Sequence, residues 1–222
     1  MVIITPATAV LTATQPMTNQ WLYKMRWLLL LPAAFALHLA VVSAFLAIGK
    51  SAEVTAQENT WLTLADTLSF YNPNVDEAIA RYERERAYLV APEQRDEHLQ
   101  YAMQRWESAQ QKRPLWPYYK LGAFDIAVVM NAPEEDIQRR FAEIVELAPN
   151  ERGLDSGLLT LSMYTWNKLS QEQQAWVVER IRTTAYNTRV KVFESADITG
   201  VKLTLCVRLP WGMVKNYCLT TQ

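Results

Sequence analysis

The sequence predicts an all-α protein: a single N-terminal transmembrane helix, a stack of about seven helices, and a possible short hairpin at the C-terminus. Three observations support this prediction. An apolar run long enough to cross a bilayer lies near the N-terminus. Prolines then separate segments of helical periodicity almost to the end of the chain. Glycine is scarce, with 6 in 222 residues, which favours helices over a domain rich in strands and turns.

Residues 27–48 form the apolar run and contain no charged side chain. At 1.5 Å per residue this run covers roughly 33 Å, whereas the hydrocarbon core of a bilayer is roughly 30 Å thick. A cleavable signal peptide is the alternative, but its apolar core is normally about 7 to 15 residues long. We therefore predict an uncleaved membrane anchor.

The charges on either side of the anchor predict its orientation. Lys24 and Arg26 precede it, whereas only Lys50 follows before acidic residues appear. Because positive charge is retained on the cytoplasmic side, the expected protein is single-pass in the inner membrane, with a periplasmic C-terminal domain. The predicted divisions are a cytoplasmic tail at 1–26, the transmembrane helix at 27–48, a linker at 49–56, a periplasmic helical domain at 57–198 and a C-terminal segment at 199–222.

Helix signals follow one another through the region after the anchor. Apolar residues at helical spacing predict a helix around residues 61–68, and the Asn-Pro-Asn sequence at 72–74 ends it. Prolines at the start and after the end of later segments delimit the next helices, and Ser170 with Gln173 forms a near capping box. The remaining helices are predicted at about 75–90, 92–112, 117–130, 133–147, 152–169 and 170–195.

One helix pattern occurs twice, 35 positions apart. The pattern is a small or aliphatic residue, an aromatic residue four positions later, another small or aliphatic residue and a proline beyond the helix end. Its members are Ala102, Trp106, Ala109 and Pro114, repeated as Ile137, Phe141, Ile144 and Pro149. This is typical of the second helix of a tetratricopeptide (TPR) repeat, whose period is about 34 residues. Helical pairs of this kind stack on one another and commonly present a binding groove.

The C-terminal segment has a different pattern. Apolar and polar residues alternate from Val201 to Leu209, and a turn signal follows at residues 209–212. This predicts a strand that returns as a hairpin through residues 213–218. Such a hairpin would bring together the two cysteines of the chain, Cys206 and Cys218, either as a disulfide or as two free buried thiols.

Charge is unevenly distributed along a chain whose net charge is −1, a value that argues against nucleic acid as a partner. Residues 51–179 hold 12 Lys and Arg against 21 Asp and Glu, whereas residues 180–215 hold 7 against 2. The basic region either keeps the surface soluble or attracts an anionic ligand. A fold-back of the basic C-terminal segment onto the acidic repeats would cap the stack.

Motifs for catalysis are missing from the sequence. The chain has two histidines, of which His38 lies in the anchor and His98 is expected on an exposed helix surface. No phosphate-binding loop, dinucleotide fingerprint or clustered metal-ligand spacing occurs. Acidic pairs at residues 76–77 and 134–135 fall in first turns of helices, where they stabilise the positive end of the helix dipole. We predict a protein that is not an enzyme and that uses no cofactor and no metal.

The junction at residues 112–120 is the densest local signal, with three aromatic residues, three cations and two prolines. The aromatic rings could wedge between helices or could stack on sugars, with the cations attracting acidic sugars. The candidate residues for binding a partner or a glycan are Arg113, Trp116, Tyr118, Tyr119 and Lys120.

Four segments of the sequence together resemble the VpsP-like family. They are the Arg-Pro-Leu-Trp-Pro-Tyr junction at 113–118, the segment from Phe141 to Glu151, Trp166 with Leu169, and the late Leu205-Cys206 pair. Members of that family are single-pass membrane proteins associated with bacterial exopolysaccharide biosynthesis. The resemblance covers roughly residues 25–210, although Asp125 and Ile137 depart from a regular repeat pattern.

The resemblance implies a scaffold for polysaccharide synthesis or export proteins, without a catalytic site. Two alternatives stay open. The domain could hold the nascent polysaccharide itself, or it could serve another envelope assembly such as a pilus or a secretion system.

Overall fold

The computed structural model describes the backbone of residues 20–219 and the side chains of Arg26, Leu28 and residues 30–219. The cytoplasmic tail predicted at residues 1–26 therefore lies largely outside the described residues, as do residues 220–222. The chain divides into two compact units, Met1–Ala44 and Phe45–Gln222.

Helix α1 (Gln20–Ser51) contains the predicted anchor. Its Leu30–Ser51 portion is long and apolar enough to cross a membrane, with a mean hydropathy of 2.2. Its apolar side chains from Leu30 to Leu39 are exposed, as expected for a helix surface that meets lipid rather than a protein core. Pro32 is accommodated inside the helix.

The second unit is entirely helical within the described residues, which confirms the all-α prediction. Beyond α1 it has ten α-helices rather than about seven. They are α2 (Thr60–Leu68), α3 (Pro73–Arg86), α4 (Pro92–Lys112), α5 (Pro117–Val129), α6 (Glu134–Leu147), α7 (Asp155–Tyr164), α8 (Gln171–Thr183), α9 (Tyr186–Ile198), α10 (Lys202–Arg208) and α11 (Trp211–Cys218).

Local sequence determines the starts of five of the helices. Helices α3, α4 and α5 each begin at a proline, whose fixed backbone angle suits the first helical position. The Asn59 and Asn72 side chains accept hydrogen bonds from the first backbone amides of α2 and α3. Ser170 and Gln173 form the complete capping box at the start of α8.

The helix predicted at 170–195 is two helices, because the chain leaves the helical conformation at Thr184 and Ala185. The Thr184 hydroxyl donates to the buried Asp155 carboxylate over 3.1 Å. This contact between distant parts of the sequence holds Thr184 in an extended conformation. The segment predicted as one helix at 152–169 is also divided, into a 3-10 turn, α7 and a second 3-10 turn.

The predicted C-terminal hairpin is wrong, since residues 202–208 and 211–218 form α10 and α11. Val201, Leu205 and Leu209 are buried at a spacing of four residues, which fits one face of a helix as well as one face of a strand. Packing against neighbouring helices favours the helical conformation over the strand. The sulfurs of Cys206 and Cys218 are joined in a disulfide, with 6.1 Å between their Cα atoms.

The repeated pattern occupies equivalent buried positions in two helices. Ala102, Trp106 and Ala109 face inward from α4, as Ile137, Phe141 and Ile144 do from α6. The first set belongs to a core shared by α3, α4 and α5. The second belongs to a larger core that continues to α11.

A fully buried carboxylate, Asp76, connects α2, α3 and α4. One of its oxygens lies 2.5 Å from Lys112 Nζ, and the other lies 2.8 Å from Arg105 Nη2. Arg105 also bonds to Asp66 of α2. Because Asp76 lies in the first turn of α3, the helix dipole adds to this stabilisation.

We expect Asp76→Ala to lower the free energy of unfolding by about 3 to 5 kcal/mol, because it leaves Arg105 and Lys112 without their buried counter-charge. Chemical denaturation of the full chain in detergent measures this loss. Glu93→Ala, at an exposed first-turn position of α4, is the matched control and should change stability by less than about 1 kcal/mol. Equal effects of the two substitutions would contradict the assigned role of Asp76.

Candidate functional site

A groove of about 860 Å³ runs along one side of the second unit. Helices α3, α5 and α7 supply most of its lining, α4 contributes Arg95 and Trp106, and α9 contributes Lys191. The intervening α6 and α8 contribute no lining residue. The groove therefore lies mainly, but not only, on the first helices of successive pairs.

Two glycines let neighbouring side chains pack closely at the groove. A Cβ atom on Gly122 of α5 would lie 2.4 Å from the Trp106 ring, and one on Gly157 of α7 would lie 2.9 Å from Leu121 Cδ2. Trp106 is almost fully buried. The absence of a side chain at Gly122 is therefore what allows the indole to lie between α4 and α5.

The groove carries more positive than negative charge. Arg81, Arg84, Arg95 and Lys191 line it, against the carboxylates of Glu85 and Asp125. This excess stands out on a chain whose net charge is −1. A concave surface with cations and low-dielectric walls concentrates its field and attracts anionic groups.

Arg84 and Asp125 form the central ion pair of the groove. Arg84 Nε donates to Asp125 Oδ2 over 2.6 Å, and Nη2 donates to Oδ1 over 3.1 Å. Burial lowers the pKa of Arg84, but the hydrogen bond and charge of Asp125 outweigh this effect and raise it above its ordinary value. The pair neutralises Asp125, so the cations around it remain available to a ligand.

Arg95 and Lys191 are the groove cations whose charge is least neutralised by carboxylates. Among the described residues neither takes part in an ion pair. Arg95 instead lies over the Tyr88 ring, 4.9 Å from its centroid, and Lys191 is exposed. Their N–H groups are thus free of any carboxylate partner within residues 26–219.

Guanidinium groups lie over two aromatic rings of the groove. Arg84 and Arg95 both lie over the Tyr88 ring, at 5.7 Å and 4.9 Å, and Arg81 lies 5.5 Å from the Trp106 ring centroid. These cation–π contacts hold the guanidinium groups in place. The groove therefore offers fixed hydrogen-bond donors beside the half-exposed rings of Tyr88 and Tyr164.

The five residues predicted at the junction do not form one platform. Tyr118 lines the groove, and its hydroxyl donates to Glu151 over 3.1 Å. Burial and this hydrogen bond raise the pKa of Tyr118. Trp116 is exposed and packs on Tyr118, with 5.2 Å between ring centroids. Tyr119 is buried in the core, where its hydroxyl meets Asn74.

The two predicted cations of the junction also lie apart from the groove lining. Arg113 is exposed at the end of α4. Lys120 Nζ donates to Glu143 of α6 over 2.8 Å. Burial raises the pKa of Glu143, but hydrogen bonds from Lys120 and Arg139 outweigh it and hold that pKa below its ordinary value of 4.5. Lys120 thus joins α5 to α6 rather than facing a ligand.

The prediction that His98 lies on an exposed helix surface is wrong. Its Nδ1 lies 2.6 Å from Glu83 Oε2, and both side chains are largely buried between α3 and α4. Glu83 also accepts from Arg86. The pairing with Glu83 gives His98 a structural role, because it joins α4 to α3. Among residues 26–219, no group of His, Cys, Asp or Glu side chains has a geometry that could hold a metal ion.

Sequence reasoning missed most of the groove residues, including Arg84, Tyr88, Arg95 and Tyr164. One signal was present, since Asp125 departs from the repeat pattern at a position where a small residue is usual. The departure is explained by Arg84, which lies 41 positions earlier in the chain. No pattern local to the sequence connects these two positions.

Comparison with known proteins gives no relative: no family model, no curated protein and no solved structure matches the chain. The geometry of the groove is therefore the main basis for assigning a function.

We expect Gly122→Ala to destabilise the protein by about 1 to 3 kcal/mol, because the added methyl group must displace the buried Trp106 ring. Denaturation of the full chain in detergent is the measurement. Gly212→Ala in α11 is the matched control, since a Cβ atom there meets nothing within 4 Å. The control should be neutral or stabilising by up to about 1 kcal/mol through helix propensity. A neutral Gly122→Ala would show that the packing of Trp106 adapts.

Proposed function

We propose that this chain is a membrane-anchored scaffold of bacterial exopolysaccharide synthesis or export, whose groove binds an acidic segment of a partner protein. The observation that carries the proposal is the excess of cations in the groove, with Arg95 and Lys191 lacking a carboxylate partner within residues 26–219. Acidic side chains of an extended segment would accept hydrogen bonds from these groups and from exposed Tyr164.

A short TPR-like stack is the proposed architecture. Support comes from the equivalent buried positions of α4 and α6, from the close approach at Gly122, and from a groove lined mainly by α3, α5 and α7. TPR-like stacks use the concave surface of their first helices to hold extended segments of other proteins. A protein partner is consistent with that use.

A glycan that occupies the same groove is the alternative. Sugar binding by stacking requires open aromatic faces. Arginines lie over the Tyr88 and Trp106 rings, whereas Tyr164 is a half-exposed groove ring without such a contact among the described residues. Trp116 is the exposed indole closest in sequence to the groove residue Tyr118. Loss of glycan retention in Trp116→Ala, with the fold intact, would favour the glycan alternative over the protein partner.

The proposed location is the inner membrane, with the N-terminus in the cytoplasm and the helical domain in the periplasm. The anchor rests on the apolar Leu30–Ser51 portion of α1. The orientation rests on Lys24 and Arg26 before that portion. The Cys206–Cys218 disulfide agrees with an oxidising compartment such as the periplasm.

Photocrosslinking tests the role of the groove in cells. A photoreactive phenylalanine analogue in place of Tyr164, which is half exposed in the groove, should crosslink to a protein at an acidic segment. The double variant Arg95→Glu, Lys191→Glu should lower this crosslink roughly tenfold or more through like-charge repulsion.

Two controls make that result specific. Arg182→Glu reverses an exposed charge on α8, outside the groove lining, and should leave the crosslink unchanged. Replacing acidic residues of the captured segment with lysine should restore the crosslink to the double variant. A crosslink that is insensitive to the groove charges would rule out the groove as the binding site.

Polysaccharide secretion tests the biological role independently. Deletion of the gene should reduce the secreted polymer, and the double variant Arg95→Glu, Lys191→Glu should fail to restore it although it is present at normal levels. Measurement of extracellular polysaccharide decides the question. A normal yield after deletion would reject the exopolysaccharide role and favour another envelope assembly, such as a pilus or a secretion system.

A further inference from the structure

The last two helices expose large apolar side chains. Leu203 and Val207 of α10 are 75% and 80% exposed, and Trp211 and Leu219 at α11 are 56% and 69% exposed. A large apolar side chain at such exposure leaves most of its surface in contact with solvent. Single exposed apolar residues are common on protein surfaces, but a run of four within 17 positions marks a contact surface.

These residues form a stripe on each helix. Leu203 and Val207 are four positions apart and lie opposite the buried Val201, Leu205 and Leu209. Trp211 and Leu219 are eight positions apart, with exposed Lys215 midway between them. We call the surface formed by Leu203, Val207, Trp211, Lys215 and Leu219 the C-terminal face.

The disulfide connects the two stripes. Cys206 adjoins Val207 and lies three positions after Leu203, while Cys218 lies seven positions after Trp211 and thus on the same side of α11. The bonded sulfurs are therefore located where the borders of the two stripes meet. The Tyr217 ring also stacks on Phe193 of α9, with 4.4 Å between centroids, so α11 is fixed to the rest of the unit.

The charged side chains within residues 199–219 are all positive. Residues 199–219 contain Lys202, Arg208 and Lys215 and no Asp or Glu. Arg208 and Lys215 are exposed, and Lys202 pairs with Asp197 at the end of α9. Apolar and tryptophan side chains flanked by lysine and arginine are the composition of helices that lie in the interface of an anionic bilayer.

We propose that the C-terminal face binds an anionic lipid surface. Leu203, Val207, Trp211 and Leu219 would enter the boundary between headgroups and acyl chains, and the cations would contact lipid phosphates. A second copy of the chain is a poorer occupant, because an isologous contact would bring the cations of one copy against those of the other.

A membrane anchor strengthens this binding without adding a contact. A chain held in the membrane through α1 keeps its second unit at a high effective concentration near lipid, so a weak interfacial contact is sufficient. The inference rests on the anchor part of the proposed function and is independent of the groove and its occupant. Failure of the groove proposal would therefore leave this one intact, and failure of this one would leave the groove proposal intact.

Lipid quenching tests the proposal with the full chain in lipid nanodiscs. A genetically encoded fluorescent amino acid replaces Leu203. This labelling needs no cysteine, so the Cys206–Cys218 disulfide is unchanged. Nitroxide-labelled lipids then report whether the probe enters the bilayer. We expect strong quenching in nanodiscs that contain phosphatidylglycerol and several-fold weaker quenching in phosphatidylcholine alone. Removal of one cation should lower the ratio of the lipid-bound to the unbound population of the C-terminal face roughly fivefold.

Matched variants separate lipid binding from other causes. The same probe in place of Leu115, an exposed apolar residue between α4 and α5, should stay unquenched in both lipids. The variant Arg208→Glu, Lys215→Glu should abolish quenching at position 203, with an unchanged circular dichroism spectrum. Equal quenching at positions 203 and 115 in the anionic nanodiscs would overturn the proposal. Absent quenching combined with concentration-dependent crosslinking between copies at position 203 would assign the face to self-association instead.

Discussion

Buried carboxylates in the first turns of helices hold successive helices of this stack together. Asp76 of α3 is enclosed by Arg105 and Lys112 of α4. Asp155 of α7 repeats the arrangement with Arg180 of α8, at 2.6 Å. Removing a charge from water costs several kcal/mol, and only a partner in the correct position offsets that cost. Each pair therefore fixes the register of two neighbouring helices, and a shifted register would leave a charge buried alone.

The groove depends on these fixed registers. Helices α3 and α7 both carry groove residues in addition to their buried carboxylates, so the pairs that fix these helices also help to position Arg84 and Tyr164. The positive charge in the groove and the negative charge elsewhere both reflect how the cations of the chain are distributed between two uses. Cations such as Arg105 and Arg180 are used to neutralise buried acids, whereas Arg95 and Lys191 face the groove without a carboxylate partner within residues 26–219.

Sequence patterns predicted the elements well where a local signal exists. Prolines at residues 73, 92 and 117 start helices, and the capping box at Ser170 is present, because caps and proline geometry act over four or five residues. The break at Thr184 and the helical form of residues 202–208 were missed, since contacts with distant residues decide both. An alternation in which every fourth residue is buried fits helix and strand equally.

By itself, the sequence determined an all-helical protein with an N-terminal helix long and apolar enough to cross a membrane, two equivalent helices 35 positions apart and an uneven distribution of charge. Periodicity and composition carry that information, because each reflects what a residue needs from its immediate neighbours. Only the tertiary structure decided which side chains meet. It separated Tyr118 from Tyr119 and Lys120, paired Arg84 with Asp125, and left the C-terminal face exposed. Such contacts join residues far apart in the chain, and no local spacing encodes them.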